Sequence, residues 1–347
     1  MTPGTPAGRA GQHRAGQDRA GRDRAGQGRA RQDRARHRRS PAWSSPARRS
    51  ATRRAEARAA LGFLSPWLVG FVVFTAGPLL ASLWLSFTSY DAISEPRWVG
   101  ADNYRELAAD PLVLKSLGNT VYYTVLHVPL SMALALGLAL LLVAARRWGP
   151  FFRTVLYVPA VTPPVAVGVL FLLLLNGQTG LVNRALRLVG IDGPQWTSDP
   201  AWIKPGIVLL SLWSFGTTLV IYYAALQEVP GHLYEAARLD GANAWQRFRH
   251  VTLPMISGAL FFTLVVNTIA SLQMFAEVYT MYFGTAHTSA GAEEGLFYVV
   301  YLFRQAFEFL DMGYASALAW LLFLVILLVT LVQVRLSRRF VHYEGRR

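Results

Sequence analysis

At 347 residues, 53% hydrophobic and only 16% charged, the chain falls well short of the roughly 25% charged residues usual in soluble domains, which points to lipid as its main solvent. Its net charge of +14 comes largely from 16 arginines set against Asp18, Asp23, Asp33 and Glu56 in residues 1–60, so the basic charge belongs to a tail and not to a nucleic-acid-binding face. The absence of cysteine excludes disulfides, thiolate metal sites and cysteine nucleophiles. From Ala10 to Arg39 the tail repeats in five-residue steps, AGQHR, AGQDR, AGRDR, AGQGR, ARQDR and ARHRR, with no apolar face at helical or strand period. Nothing in it offsets the entropy of ordering, so residues 1–60 are expected to be a disordered, Arg-rich cytoplasmic tail. Attraction to anionic headgroups, at about 1 kcal/mol per nearby cation, and low-complexity sequence without a specific role both fit it.

Leu61–Phe87 is the first apolar run. It exceeds the 7–15 apolar residues of a cleaved signal and meets the roughly 20 needed for a retained span. Five more runs follow, near 119–145, 152–175, 205–227, 256–281 and 312–334. Each lacks acidic and basic side chains through its middle; Arg153, Glu277 and Arg335 sit at ends, and His127 is the one histidine inside a span. The expected fold is therefore all-α, a polytopic membrane protein with six transmembrane helices over 61–337 and a cytoplasmic tail at 338–347. Pro66, Pro78, Pro159, Pro163 and Pro164 interrupt spans. Such breaks are tolerated where neighbours satisfy the freed backbone, and they suit moving hinges and static kinks equally. With both termini inside, the inner segments carry 27 Lys and Arg against seven outside, so the positive-inside rule puts both termini in the cytoplasm of the cell membrane.

Between the fourth and fifth runs, Gln227–Pro254 reads QEVPGHLYEAARLDGANAWQRFRHVTLP. Pro230 suits a first helical turn, and Leu233, Ala236, Ala237 and Leu239 give one apolar side. Gly241 supplies a stop, and Asn243 caps a second helix bearing Trp245, Phe248 and Arg249. Small Ala236 and Ala237 admit a partner surface closely, while Glu235 and Asp240 offer it carboxylates. A docking element and an amphipathic linker on the membrane surface both fit this pattern.

Glu235-Ala236-Ala237, then Gly241, then Leu253-Pro254, resembles the "EAA" loop of binding-protein-dependent ABC importer permeases. The whole string is similar to that of the carbohydrate-uptake group, which includes maltose and glycerol-3-phosphate permeases. Gly77-Pro78, Gly100-Ala101-Asp102-Asn103-Tyr104, Phe151-Phe152-Arg153 and Gly313-Tyr314-Ala315-Ser316-Ala317 agree with that group. Near 281–292, where such permeases carry a Gly-Gly-Pro turn, this chain reads Met281-Tyr282-Phe283-Gly284-Thr285. The resemblance implies a type I ABC importer permease fold over about 61–337, with 228–255 as a cytoplasmic coupling loop. It implies that Glu235, Ala236, Ala237, Asp240, Gly241, Leu253 and Pro254 engage a separate ATPase. The implied partners are two cytoplasmic ATPase subunits, a second, different permease chain, an extracytoplasmic solute-binding protein and a sugar.

The chain's own chemistry agrees. Its two lysines, Lys115 and Lys204, do not follow glycines, so no phosphate-binding G-x-x-x-x-G-K-[ST] loop exists. It is expected to be a transport subunit and not an enzyme, with ATP-Mg on the partner and no cofactor, metal or nucleic acid of its own. An ion-coupled secondary transporter is the alternative, although such carriers place ionisable groups inside the membrane and the span interiors offer only His127. Asn267, Ser271 and Met274 share one helical face, and Trp213, Ser214 and Thr217 cluster on the preceding span. By the resemblance these six fall beside the sugar pathway, with the indole stacking on a sugar ring. Interhelical hydrogen bonding and packing is the alternative for each of them.

Overall fold

The computed structural model describes residues 46–145, 149–284 and 293–337. Most of the Arg-rich tail, the 338–347 tail and the 285–292 part of the outer loop lie outside them. The chain divides into two units, Met1–Ala76 and Gly77–Arg347.

In the first unit, Pro46–Phe71 is one α-helix that runs into a wider turn at Val72–Ala76. Residues 46–60 thus lie in a helix, and any disordered tail ends well before residue 60. Alanine and arginine are strong helix formers, and an apolar helix already started needs no new nucleus to extend. Phe63, Trp67 and Phe74 are exposed to the surroundings, as lipid-facing side chains require.

Four helices among the described residues are long and apolar enough to cross a bilayer: Ala59–Leu85, Pro111–Ala144, Ser257–Tyr282 and Met312–Ser337. Two helix pairs, Phe151–Val161 with Pro164–Leu174 and Pro200–Ser214 with Gly216–Glu228, also qualify when taken together, with bends of 95° and 49°. Counting each pair once gives six spans. The sharper bend has a clear cause. Pro163 and Pro164 both lack an amide hydrogen, and a proline pushes the residue before it out of helical conformation; Pro163 is accordingly extended, and Pro164 opens the next helix. The gentler bend follows a tight 3₁₀ turn at Leu212–Ser214. Inside Ser257–Tyr282 the helix is also interrupted, ending at Leu272 and restarting at Ala276.

The second unit is built on two apolar clusters. One gathers Tyr123, Phe171, Ile207, Val278, Phe297 and Leu318; the other gathers Ala135, Ala139, Leu219, Tyr222 and Ile256. Small residues set how closely helices cross. A methyl group added at Gly168 would lie 2.9 Å from the carbonyl oxygen of Glu277, so only glycine lets Pro164–Leu174 pack against Ala276–Tyr282.

The connections around 86–110 and 293–314 are pinned by side chains. The amide of Asn103 donates to the carbonyls of Ser86 and Thr88, each at 2.9 Å, beside a two-residue antiparallel hairpin that pairs Thr88 with Trp98. Asp110 caps the Pro111–Ala144 helix by accepting from the amide of Leu112 at 2.8 Å. It also accepts hydroxyl hydrogen bonds from Tyr301 and Tyr314. Both lysines are spent here as well: Lys115 pairs with Glu293 and Glu294 at 3.1 Å, and Lys204 with Glu294 at 2.9 Å.

Candidate functional site

Two places combine exposed or cavity-lining chemistry with a defined geometry. The first is the connector after Glu228. Gly231–Leu239 forms a helix, with Pro230 at its N-cap and not in its first turn. It closes in a Schellman turn, the Gly241 amide donating to the Arg238 carbonyl at 3.1 Å and the Ala242 amide to the Ala237 carbonyl at 2.9 Å. Gly241 adopts φ +78° with open space around its α-carbon, so the requirement for glycine is conformational and not steric.

Asn243 then starts Ala244–Arg247 with a reciprocal capping box. Its side chain accepts from the Gln246 amide at 2.9 Å, and the Gln246 side chain accepts from the Asn243 amide at 2.8 Å. Arg247 donates back to the Ala242 carbonyl at 3.0 Å, and the Tyr234 and Thr252 hydroxyls bond at 3.0 Å. The turn is thereby held from both sides. Glu235, Ala236, Asp240 and Gly241 are exposed, Ala237, Leu253 and Pro254 half-buried. The expected apolar side divides: Leu233 and Ala237 face the protein, whereas Leu239 is 90% exposed. A rigid helix end that presents a bare leucine, a small-residue step and two carboxylates is a surface shaped to be covered.

The second place is a cavity of about 480 Å³. Of the six residues expected beside a substrate pathway, Ser214, Thr217, Asn267, Ser271 and Met274 line it, and Trp213 does not. The indole instead meets the ring of Phe171 edge-on at 6.0 Å, so the stacking role expected of it has no support in this geometry. Asn267 donates to the Thr218 hydroxyl at 3.1 Å, which ties the two walls together. The broken stretch Gln273–Phe275 also lines the cavity, where irregular backbone inside a membrane is tolerated.

Sequence reasoning did not place Tyr123, Ser211, Thr218 and Gln273 beside the pathway, and it noted His127 and Glu277 only as ionisable groups; all six line the cavity. The signal was present for three of them. His127 and Glu277 were the span residues able to titrate, and Tyr123 lies four positions before His127, on the same helical face. Their rings stack at 5.0 Å, nearly parallel with 9° between the planes. The Nδ1 atom of His127 is buried with no hydrogen-bond partner among the described residues.

Residues 128–342 match the family described as "Binding-protein-dependent transport system inner membrane component". The chain is 38% identical over 291 residues to "Probable ABC transporter permease protein YesP" of Bacillus subtilis (strain 168), covering 83% of this chain and 93% of that one. It is 32% identical over 281 residues to "Lactose transport system permease protein LacF" of Rhizobium radiobacter, covering 80% and 93%. It is also 32% identical over 284 residues to "Arabinooligosaccharides transport system permease protein AraP" of Bacillus subtilis (strain 168), covering 80% and 88%. In fold it is similar to a chain of a bacterial ABC transporter involved in the import of the acidic polysaccharide alginate, with a TM-score of 0.72 at 23% identity over 85% of this chain and 100% of that one.

Proposed function

This chain belongs to the family of binding-protein-dependent transport system inner membrane components, and on that premise we propose that its two sites divide the work of sugar import between them. It is a multi-pass inner-membrane permease subunit of an ABC importer and not an enzyme. Membership in that family displaces the ion-coupled carrier that the sequence alone left open.

In this reading the 228–255 loop and both termini face the cytoplasm, and the exposed end of Gly231–Leu239 seats in one of two ATPase subunits, which hold the ATP-Mg. A second, different permease chain completes the pathway, and an extracytoplasmic solute-binding protein delivers the cargo. That cargo is a sugar or a related polyol or glycoside, as the names of the similar lactose and arabinooligosaccharide permeases suggest. The cavity offers hydroxyl and amide groups from Ser214, Thr217, Asn267 and Ser271 to such a molecule.

One observation carries the proposal: two of the helices that line the cavity flank the loop on either side. Gly216–Glu228 holds Thr217 and Thr218 and ends where the loop begins; Ser257–Leu272 holds Asn267 and Ser271 and starts where it ends. At 1.5 Å per residue, Thr218 is about 15 Å of stiff helix from Glu228. A push on a rigid loop therefore moves both cavity walls, whereas a floppy loop would dissipate it.

Gly241→Val tests this. A β-branched residue at positive φ costs about 1–2 kcal/mol and opens the Schellman turn. The variant is expected at normal level in the membrane, with ATPase co-purification and substrate-driven ATP hydrolysis both reduced at least about fivefold. Normal values for both would remove the loop from the coupling path.

A further inference from the structure

The cavity has an electrostatic sign. Among its lining residues Glu277 is the one carboxylate, and neither lysine nor arginine is present. The Glu277 side chain is half-buried and forms no salt bridge among the described residues. Lys115 and Lys204 are engaged with Glu293 and Glu294, and Arg304 with Glu308. Close packing fixes the backbone that carries this side chain, because the Glu277 main-chain carbonyl lies against Gly168 with no room for a methyl group. The other polar groups of the lining are hydroxyls, the amides of Asn267 and Gln273 and the imidazole of His127, with no second carboxylate among them.

A carboxylate with no ion-pair partner among the described residues repels anions over several ångströms, since its field is screened less inside a membrane cavity than in bulk water. The same carboxylate accepts hydrogen bonds from hydroxyl groups, and charge-assisted bonds of that kind are the stronger ones. The geometry points to Glu277 as a specificity-determining residue that bars anionic cargo, so that the sugars admitted are neutral or basic and uronic acids are refused. This rests on the proposed role of the cavity as the sugar pathway. A bland role, in which Glu277 only complements the first turn of Ala276–Tyr282, would leave the cavity indifferent to the charge of what enters.

The chain contains no cysteine, which allows the sign of the cavity to be read directly. Thr217→Cys puts a single exposed thiol on its wall. The full-length variant in membranes is treated with a cationic and with an anionic methanethiosulfonate of similar size, and the ratio of rates is compared with that for free cysteine. One unscreened charge is expected to raise the cation-to-anion ratio about tenfold. Adding Glu277→Gln should return it to within about twofold of the free thiol, while Glu277→Asp keeps it. A ratio that Glu277→Gln leaves unchanged overturns the assignment.

Protection of the same thiol by cellobiose and by cellobiuronic acid, which differ by one carboxylate, separates this claim from the pathway itself. Protection by the neutral sugar alone, lost in selectivity with Glu277→Gln, is the expected result. Equal protection by both in the parent overturns the specificity role and keeps the sugar pathway. Protection by neither, with the charge ratio intact, overturns the sugar pathway and keeps the charge selection.

Discussion

Single side chains here act through what they hold and not through reactivity. Glu294 is the clearest case. Its carboxyl is held below the usual range, chiefly by the hydrogen bond from Lys204, which burial opposes and the hydrogen bond from Lys115 and the charges of both lysines reinforce. A carboxylate whose pKa falls on folding contributes stability that is present above its unfolded pKa, near 4.5, and is lost as pH falls through the lower folded value. Thermal stability of the purified protein should therefore drop on acidification from about pH 5 to pH 3, and Glu294→Gln should flatten that component. The pair is partly exposed, so the effect is below about 1 kcal/mol. Asn267 belongs to the same scale. Because its amide both bonds Thr218 and borders the cavity, Asn267→Ala should weaken substrate affinity about three- to tenfold with ATPase association unchanged. Unchanged uptake kinetics would make the residue a purely structural tie. Both residues were visible as letters. That Asn267 meets Thr218 was not, because the two are 49 positions apart and no local pattern encodes the pairing.

At the scale of elements, loops in this protein are ordered by a few buried amides. Asn183 is such a hub: its side chain donates to the carbonyls of Gly177, Gly193 and Pro194 at 2.8, 3.1 and 3.0 Å and accepts from the Trp196 indole at 2.7 Å. Asn183→Ala takes the bond from four half-buried partners and should lower stability by about 1–3 kcal/mol, read as a lower melting temperature in detergent. Asn183→Asp should not rescue it, since a carboxylate faced by three carbonyls has no hydrogen to give. The 228–255 loop was more legible than this hub. Its stop at Gly241 and its cap at Asn243 are local signals, each satisfied within a few residues of chain. The exposure of Leu239 was not legible, because a leucine at helical spacing reads as core until the tertiary structure leaves its face uncovered.

For the whole molecule, the charge distribution makes a topological claim that the fold leaves open. Seven lysines and arginines fall in the segments assigned outside and 27 in those assigned inside, a bias that orients the first span with its tail in the cytoplasm. Alkaline phosphatase fused after Glu95 should be active, and fused after Gly241 or Ser337 inactive; a fluorescent protein at the same three positions should show the reverse. Activity after Gly241 would turn the loop away from any ATPase. The two bent pairs also act at this scale. A 95° turn at Pro163 and a 49° turn before Gly216 bend two spans that would otherwise cross the bilayer straight.

Sequence by itself determined the solvent, the spans and the loop, since each depends on local composition: long uncharged runs must leave water, and a glycine and an asparagine two residues apart end one helix and begin the next. It did not determine the bends, which arise when proline chemistry meets the packing of neighbouring helices, nor the membership of the cavity wall. Tyr123, Ser214, Asn267 and Glu277 come from distant parts of the chain, and only the folding of three spans against one another brings them to a common surface. That Glu277 has no ion-pair partner among the described residues is likewise decided by tertiary structure, because it depends on what is packed beside it.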